Sequence, residues 1–180
     1  LLLTGITHLD GLADCGDAAV VHDDRDRHAI LKDSAIGVGG VVAVGTALLG
    51  LATAGYALAG IPIGAVLGIV IAAEVGAKAS MAAVACVGEA THDGLGAALT
   101  RPTPPTRIGL VGVLALPAVV LTWPTPVAAG TLGATVLASG SVYTWAKQAL
   151  GGISGDVLGA TNELARLAGL HMGVLVWTLL

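Results

Sequence analysis

Three aspartates near the start of the chain have the type and spacing expected of a metal site. Asp10, Asp14 and Asp17 stand at positions i, i+4 and i+7, which share one face of a helix. Like charges at this spacing repel each other, and no Lys or Arg occurs between Leu1 and Asp23. A hard cation would offset the repulsion, and Mg²⁺ is often held by one or two carboxylates together with substrate phosphates. The motif predicts a Mg²⁺ site, with a solvated acidic loop as the simpler alternative.

A second charged segment follows between Arg25 and Gly40. Arg27 and Lys32 could bind phosphate, and Asp33 could add a metal ligand. On spacing alone, a group of charges at a membrane edge explains this segment equally well.

A third polar segment lies near the end of the chain. Asp156 fits the N-cap position of a helix. Asn162 and Glu163 follow about two turns later, where a polar pair needs a partner inside the protein.

Long uncharged stretches indicate the elements that must position these residues. Hydrophobic residues make up 55% of the 180 residues and charged residues 11%, whereas soluble domains carry about 25% charged residues. This composition excludes a typical soluble enzyme and a disordered chain. Residues 34–73 and 108–146 lack Asp, Glu, Lys and Arg, and each stretch suits two spans of about 20 residues.

We therefore expect an all-α, polytopic transmembrane bundle that forms one integral membrane domain over residues 1–180. About five spans are predicted, at 36–59, 62–87, 108–123, 126–145 and from near Asp156 onward. Pro117 should kink the third span. The chain starts at Leu1 rather than Met, so we expect an N-terminal part to be missing.

The second predicted span carries small residues at every fourth position, namely Gly60, Gly64, Gly68, Ala72, Gly76 and Ser80. This pattern lets helices approach closely. Glu74 and Lys78, on the opposite side, are spaced i, i+4 and are predicted to pair. Each charge at a bilayer centre costs about 2.5–3.5 kcal/mol, so we expect protein on both sides of the span. A structural ion pair and a polar path are the two interpretations.

The charged loops fall on one side of the predicted bundle. Loops 8–34, 88–107 and 146–156 carry most charges, whereas the turns at Gly60 and Pro124 carry none. The positive-inside rule makes the charged side cytoplasmic. A net charge of −4 with eight basic residues argues against nucleic acid as a partner.

The three polar segments together resemble the adenosylcobinamide-GDP ribazoletransferase family, also called cobalamin 5′-phosphate synthases. The matching residues are 8–18 (HLDGLADCGDA), 30–37 (ILKDSAIG) and 155–160 (GDVLGA) with Asn162 and Glu163. Their order and separation match the family over essentially the whole chain.

The resemblance implies a Mg²⁺-dependent enzyme in the plasma membrane whose active face is cytoplasmic. A hydroxyl of α-ribazole, or of its 5′-phosphate, would attack the cobinamide-linked phosphorus of adenosylcobinamide-GDP, and GMP would leave. Asp10, Asp14 and Asp17 would hold the metal, and Asp10, Asp14 and Asp33 would be catalytic, with Asp33 a candidate for accepting the hydroxyl proton. The implied substrate-binding residues are Arg27, Lys32, Ser34, Asp156, Asn162 and Glu163.

Two other functions compete with this interpretation. A CDP-alcohol phosphotransferase also uses aspartates at the membrane edge, but its motif needs Asp where Thr7 stands and Ala-Arg where Asp14-Cys15 stands. A transporter would use the acidic loop as a cation vestibule and would not turn over nucleotide-activated substrates. The five histidines lack zinc-site spacing, so His8 is expected to be a polar loop residue.

The charge asymmetry makes a topology prediction. A reporter fused after Pro124 should lie outside the cell and one fused at Gly151 inside, because the positive loops stay cytoplasmic. Paired reporters that are active only in opposite compartments measure this, and the reverse pattern would refute the assignment.

Overall fold

The computed structural model of the protein describes residues 5–21, 27 and 35–180. Within them the chain is helical and has no strand beyond an isolated bridge between Ala90 and Ile153, which confirms the all-α prediction. The helices are α1 (Gly5–Ala19), α2 (Val38–Leu58), α3 (Ile63–Val87), α4 (Leu95–Thr100), α5 (Ile108–Ala115), α6 (Val127–Ala149) and α7 (Gly155–Thr178), with 3-10 segments at Pro105–Arg107 and Leu116–Thr122.

Three segments are long and apolar enough to cross a membrane: Val38–Leu58, Ile63–Val87 and Pro105–Thr122. They coincide with the first three predicted spans. Helices α6 and α7 have 23 and 24 residues, about 35 Å at 1.5 Å per residue, but their sequences are less apolar. The prediction of about five spans is thus confirmed for three and stays a prediction for the other two.

The third span changes its helical form at the predicted place. Helix α5 ends at Ala115, and the 3-10 segment that begins at Leu116 has Pro117 in its first turn. Proline cannot donate the backbone hydrogen bond that would continue an α-helix.

Helix α7 is the central element, and it packs against α1, α2, α3 and α6. Two glycines of α7 allow α3 and α6 to pack closely against it. A methyl group on Gly169 would lie 2.8 Å from Thr135 of α6, and one on Gly173 would lie 2.6 Å from both Ile69 of α3 and Thr131 of α6. The three longest helices therefore approach one another through small residues.

The small-residue stripe of α3 is used over part of its length. Gly68, Ala72, Gly76 and Ser80 are buried, and Ser80 donates a hydrogen bond to the Thr135 carbonyl at 3.2 Å. Gly60 and Gly64 are exposed instead. The expectation of close packing is therefore confirmed only for the four stripe residues nearer the charged loops.

Helix α1 lies against both α7 and α2 through glycine contacts. A methyl group on Gly11 would come within 2.7 Å of the Asp156 Cα, and one on Gly159 within 3.0 Å of the His8 Cα. Gly16 similarly meets the backbone of Gly39 on α2. These contacts place the acidic motif of α1 directly beside the beginning of α7.

The loop that follows α3 and the loop that precedes α7 are joined by hydrogen bonds. Ile153 donates its N–H to the Glu89 carbonyl at 2.7 Å, and Thr91 donates to the Ile153 carbonyl at 3.2 Å. Gly151 permits the turn before this contact because its φ is +72°, a conformation that glycine adopts readily. The joined loops set the position at which α7 begins.

The contact between α1 and α7 makes a stability prediction. Gly11→Ala should reduce the free energy of unfolding by about 1–3 kcal/mol, because overpacking forces the two backbones apart. Thermal unfolding of the detergent-solubilised protein measures the change. Gly45→Ala on α2 is the matched control, since nothing lies within 4 Å of that position, and it should be neutral or slightly stabilising. Equal losses in both variants would contradict the close contact.

Candidate functional site

Three carboxylates gather where α1 meets the start of α7. We call Asp10, Asp14 and Asp156 the acidic rim. Asp10 is exposed, and Asp14 and Asp156 are partly buried. The contact of Gly11 with the Asp156 backbone brings the two helices together at this point. The rim is therefore an accessible group of negative charges at the end of the bundle that carries the charged loops.

Burial and the neighbouring negative charges raise the pKa of Asp14. Burial raises the pKa of this carboxyl to about 6, and the negative charges of Asp156, Asp10 and Asp17 add to the effect. Both causes disfavour the ionised form of a carboxylate. A bound cation would relieve this electrostatic cost, so the rim has the character expected of a cation-binding surface.

Asp17 has a different position from its neighbours. Its carboxylate is buried and accepts hydrogen bonds from the backbone N–H groups of Gly37, at 2.7 Å, and Gly40, at 2.8 Å. These groups stand at the start of α2, where backbone donors lack partners within the helix. Asp17 therefore caps α2 and joins it to α1. Its predicted role as a metal ligand stays untested, and both of its oxygens already accept hydrogen bonds.

Among residues 5–21, 27 and 35–180, no group of three or more His, Cys, Asp or Glu side chains is arranged to hold a metal ion. The structure thus does not form the predicted triad of Asp10, Asp14 and Asp17. Mg²⁺ often takes only one or two protein carboxylates and completes its shell with water and phosphate. The oxygen donors of Asp10 and Asp14 remain compatible with this mode of binding.

A buried polar network lies deeper along α7. Lys78 Nζ of α3 donates to Asn162 Oδ1 at 2.6 Å. Asn162 Nδ2 donates to Glu163 Oε1 at 3.0 Å and lies 3.2 Å from Nδ1 of His8 on α1. Asn162 and Glu163 are 1% and 2% exposed. Three helices are therefore joined through one asparagine and its neighbour.

The network continues from Glu163 to Arg166 and Glu74. Arg166 is paired with Glu163 Oε2 and lies 3.5 Å from Glu74 Oε1. The predicted pairing of Glu74 with Lys78 is wrong, because each residue finds its partner on α7 instead. The buried Glu163 carboxylate is thereby paired with a cation, as a buried charge requires.

The α3 side of the network opens onto a groove. The groove has a volume of about 470 Å³ and is lined by Glu74 and Lys78 of α3 together with Val111 and Leu114 of α5. Glu74 is consequently much more exposed than Glu163. Asn162 and Glu163 lie behind this opening rather than on it.

The remaining predicted site residues fall into two groups. Arg27 is partly buried and donates from Nε to the Val21 carbonyl at 2.9 Å, and its predicted role in phosphate binding stays a prediction. Lys32, Asp33 and Ser34 lie outside the described residues.

The expectation that Asp156 is the N-cap of α7 is wrong. Ser154 caps α7, with its hydroxyl accepting from the Val157 N–H at 3.3 Å and donating to Asp156 Oδ2 at 3.2 Å. Asp156 instead stands in the first turn, where the helix dipole favours a negative charge. Its carboxylate lies near that of Asp14, because its negative charge raises the pKa of Asp14.

Sequence reasoning missed two members of the network. His8 was expected to be a loop residue, yet it lies on α1 against Asn162. Arg166 was not singled out, although its i+3 spacing from Glu163 is a signal for pairing on one helix face. Nothing in the sequence around His8 indicates a partner 154 positions away.

Cys15 lies beside the rim but is not suited to act as a nucleophile. It is buried, and burial together with the charges of Asp156 and Asp14 raises the pKa of its thiol. A nucleophilic cysteine needs a lowered pKa instead.

A family model described as cobalamin-5-phosphate synthase matches residues 1–174. The chain belongs to this family. Among curated members, the adenosylcobinamide-GDP ribazoletransferase of Halorubrum lacusprofundi is 54% identical, with 98% of this chain and 72% of the relative covered. Those of Halobacterium salinarum, at 49% with 98% and 89% covered, and of Haloquadratum walsbyi, at 46% with 98% and 72% covered, carry the same name. No solved structure matches the chain.

For this member of the cobalamin-5-phosphate synthase family, the crowded rim makes a prediction about stability and pH. The folded pKa of Asp14 lies above its unfolded value, so the fold loses stability as pH rises from 3.8 to about 6. Asp14→Asn should therefore raise the unfolding temperature by a few degrees at pH 7.5 in the presence of EDTA. The gain should vanish near pH 4, where Asp14 is largely protonated in the folded protein.

Asp93→Asn is the matched control for this experiment. Asp93 is exposed and pairs with Arg101 at 2.7 Å, so its loss should not stabilise the protein at either pH. A gain in Asp14→Asn that persists unchanged at pH 4 would exclude charge repulsion as its cause.

Proposed function

We propose that this protein transfers the adenosylcobinamide-phosphate group of adenosylcobinamide-GDP to α-ribazole or α-ribazole 5′-phosphate and releases GMP. The match of the cobalamin-5-phosphate synthase family to residues 1–174 carries this proposal. Relatives named for the same reaction, which share about half of their residues with this chain, support it further. The reaction belongs to the assembly of the nucleotide loop of cobalamin.

The acidic rim is the best candidate for the reaction centre. Displacement at a diphosphate depends mainly on neutralising charge and on aligning the two reacting oxygens. Asp10 and Asp14 are accessible hard oxygen donors, and the raised pKa of Asp14 is consistent with an unmet need for a cation. Asp10 and Asp14 would supply the one or two carboxylate ligands that Mg²⁺ often takes from a protein, and Asp156 would add negative charge beside them. When bound, the ion would neutralise charge on the diphosphate oxygens.

The polar network would hold the rim in position. Its buried members would not contact the substrate. Asn162 and Glu163 are almost fully buried, and their polar atoms are used in contacts with Lys78, His8 and Arg166. Their predicted contact with substrate is therefore replaced in this proposal by a supporting role. The acceptor of the hydroxyl proton is left open between Asp33 and the rim carboxylates.

The active face would lie on the cytoplasmic side of the plasma membrane. The apolar helices indicate a membrane protein. The rim and the charged loops lie at the same end of the bundle, the end where Glu89 and Ile153 join two of those loops. Positive loops favour the cytoplasmic side.

The decisive measurement is Mg²⁺-dependent GMP release from adenosylcobinamide-GDP. Membranes that contain the full-length protein should release GMP only when α-ribazole or its 5′-phosphate is present. Asp10→Asn and Asp14→Asn should each lower the rate by 100-fold or more, because loss of one group that stabilises developing charge costs about 10²–10³ in rate. Asn keeps the size of the side chain and removes only its charge.

Asp93→Asn again serves as the control, since it changes an exposed aspartate that is paired with Arg101 and is not a member of the rim. It should keep most of the activity. Equal and mild losses in all three variants would show that the rim is only a solvated surface. Release of CMP from a CDP-alcohol, or transport without nucleotide turnover, would instead favour one of the competing functions.

A further inference from the structure

A second groove lies between α3 and α5, at the end of the bundle that carries the charged loops, and it has a volume of about 290 Å³. Its polar lining residues are Thr103 and Arg107, and the Thr103 hydroxyl already donates to the Leu99 carbonyl at 2.7 Å. The rest of the lining is apolar. An ordered water molecule needs two to four polar partners, so the groove is suited to hydrocarbon rather than to water.

The charged and apolar residues of the groove are arranged in order along α5. Arg107 stands near the start of the segment Pro105–Thr122, which is long and apolar enough to cross a membrane. Leu110, Val111 and Leu114 follow at i+3, i+4 and i+7 and line the same groove, since these spacings share one helix face. Arg107 and Leu114 are separated by about 10 Å along the helix, which is two thirds of the ~15 Å thickness of one hydrocarbon leaflet.

The charge of Arg107 is not used within the part of the chain that the structure describes. There its guanidinium forms no hydrogen bond or ion pair, and the nearby Arg101 is the partner of Asp93. An arginine stays charged at physiological pH, and its planar group can bind a phosphate through two parallel hydrogen bonds. No carboxylate is among the residues that line the groove. The site therefore suits a phosphate and gives no counter-charge to the ammonium group of a zwitterionic headgroup.

The third span makes few contacts with the rest of the protein. Helix α5 has no buried residue, and 11% of the window Pro105–Thr122 is buried. Across the groove, α3 presents the short side chains of Ala82 and Ala85, which leave the space beside α5 unfilled. A hydrocarbon chain in the groove would supply the van der Waals contacts that these residues do not make.

We infer that this groove binds one anionic phospholipid, with its phosphate on Arg107 and one acyl chain between α3 and α5. The order of the lining, with the cation at the membrane surface and apolar side chains below it, matches the order of groups in such a lipid. The bound lipid holds the third span against α3. This site is separate from the acidic rim, and the inference does not rest on the proposed reaction.

Lipid retention by the full-length protein tests this inference. The protein is purified in detergent, incubated with phosphatidylglycerol or phosphatidylcholine, and measured by native mass spectrometry. It should keep one phosphatidylglycerol per chain at detergent concentrations that remove phosphatidylcholine. Its unfolding temperature should also be higher with phosphatidylglycerol, because a ligand that binds the folded state stabilises it. Equal retention of the two lipids, or retention of neither, would overturn the inference.

Arg107→Gln tests the headgroup contact. It should weaken phosphatidylglycerol binding by about tenfold or more, because hydrogen bonds to a charged group are lost. Lys147→Gln is the matched control. Lys147 is exposed at the same end of the bundle, also forms no hydrogen bond or ion pair with the described residues, and lines a different cavity. Equal weakening in the two variants would indicate general attraction to surface charge and would overturn the inference.

Ala82→Leu tests the acyl-chain contact. The larger side chain would occupy the groove and should weaken binding by about fivefold or more. Ala83→Leu is its control, since Ala83 lines the cavity between α3, α5 and α6 instead, and it should bind the lipid normally. If a variant does not fold, the comparison of the two lipids on the native protein decides.

Two other occupants of the groove would give different results. Binding that is displaced by inorganic phosphate and is unaffected in Ala82→Leu would indicate a site for a free anion. A dimer that retains no lipid would indicate that a second copy of the chain covers the groove. Either result would overturn the inference.

Discussion

The pairing of polar groups inside an apolar bundle is the constraint on which the rest of this structure depends. Glu163 and Arg166 on α7 cannot be left unpaired at such depth, because an isolated buried charge is strongly unfavourable. Glu163 and Arg166 pair with each other, and Arg166 also lies near Glu74 of α3. The adjacent Asn162 is hydrogen-bonded to Lys78 of α3 and to His8 of α1. Satisfying the polar groups of one helix thus fixes the positions of two others. Packing of apolar side chains alone is less selective, since it tolerates small sliding of one helix along another.

Small residues make this pairing geometrically possible. Gly11 and Gly159 let the backbones of α1 and α7 approach, and only at such short separation can a side chain as compact as asparagine reach both a histidine on one helix and a lysine on another. The same approach brings Asp10 and Asp14 next to Asp156. The repulsion within the rim and the polar contacts of the network are therefore both consequences of one helix contact.

The aspartates of the α1 motif differ in position, and we assign them a structural role and a chemical role accordingly. Asp17 is buried and caps α2 through two backbone N–H groups, whereas Asp10 and Asp14 stay accessible. A helix rotates by about 100° per residue, so small differences in angular position decide whether a carboxylate meets a neighbouring helix or open space. One sequence motif thereby anchors two helices together and presents a negatively charged surface at their junction.

The sequence by itself determined the helices, since uncharged stretches of 40 and 39 residues permit little else in a membrane, and the bounds of α2 and α3 fall within two residues of those predicted. The sequence also revealed the acidic motif and the resemblance to the family. Only the tertiary structure decided the partners. Lys78 meets Asn162 from 84 positions away, and His8 meets it from 154, so local spacing favoured the nearer Glu74 as partner of Lys78. Spacing along one helix reports only which side chains share a face; which face meets which helix is set by the packing of the whole bundle.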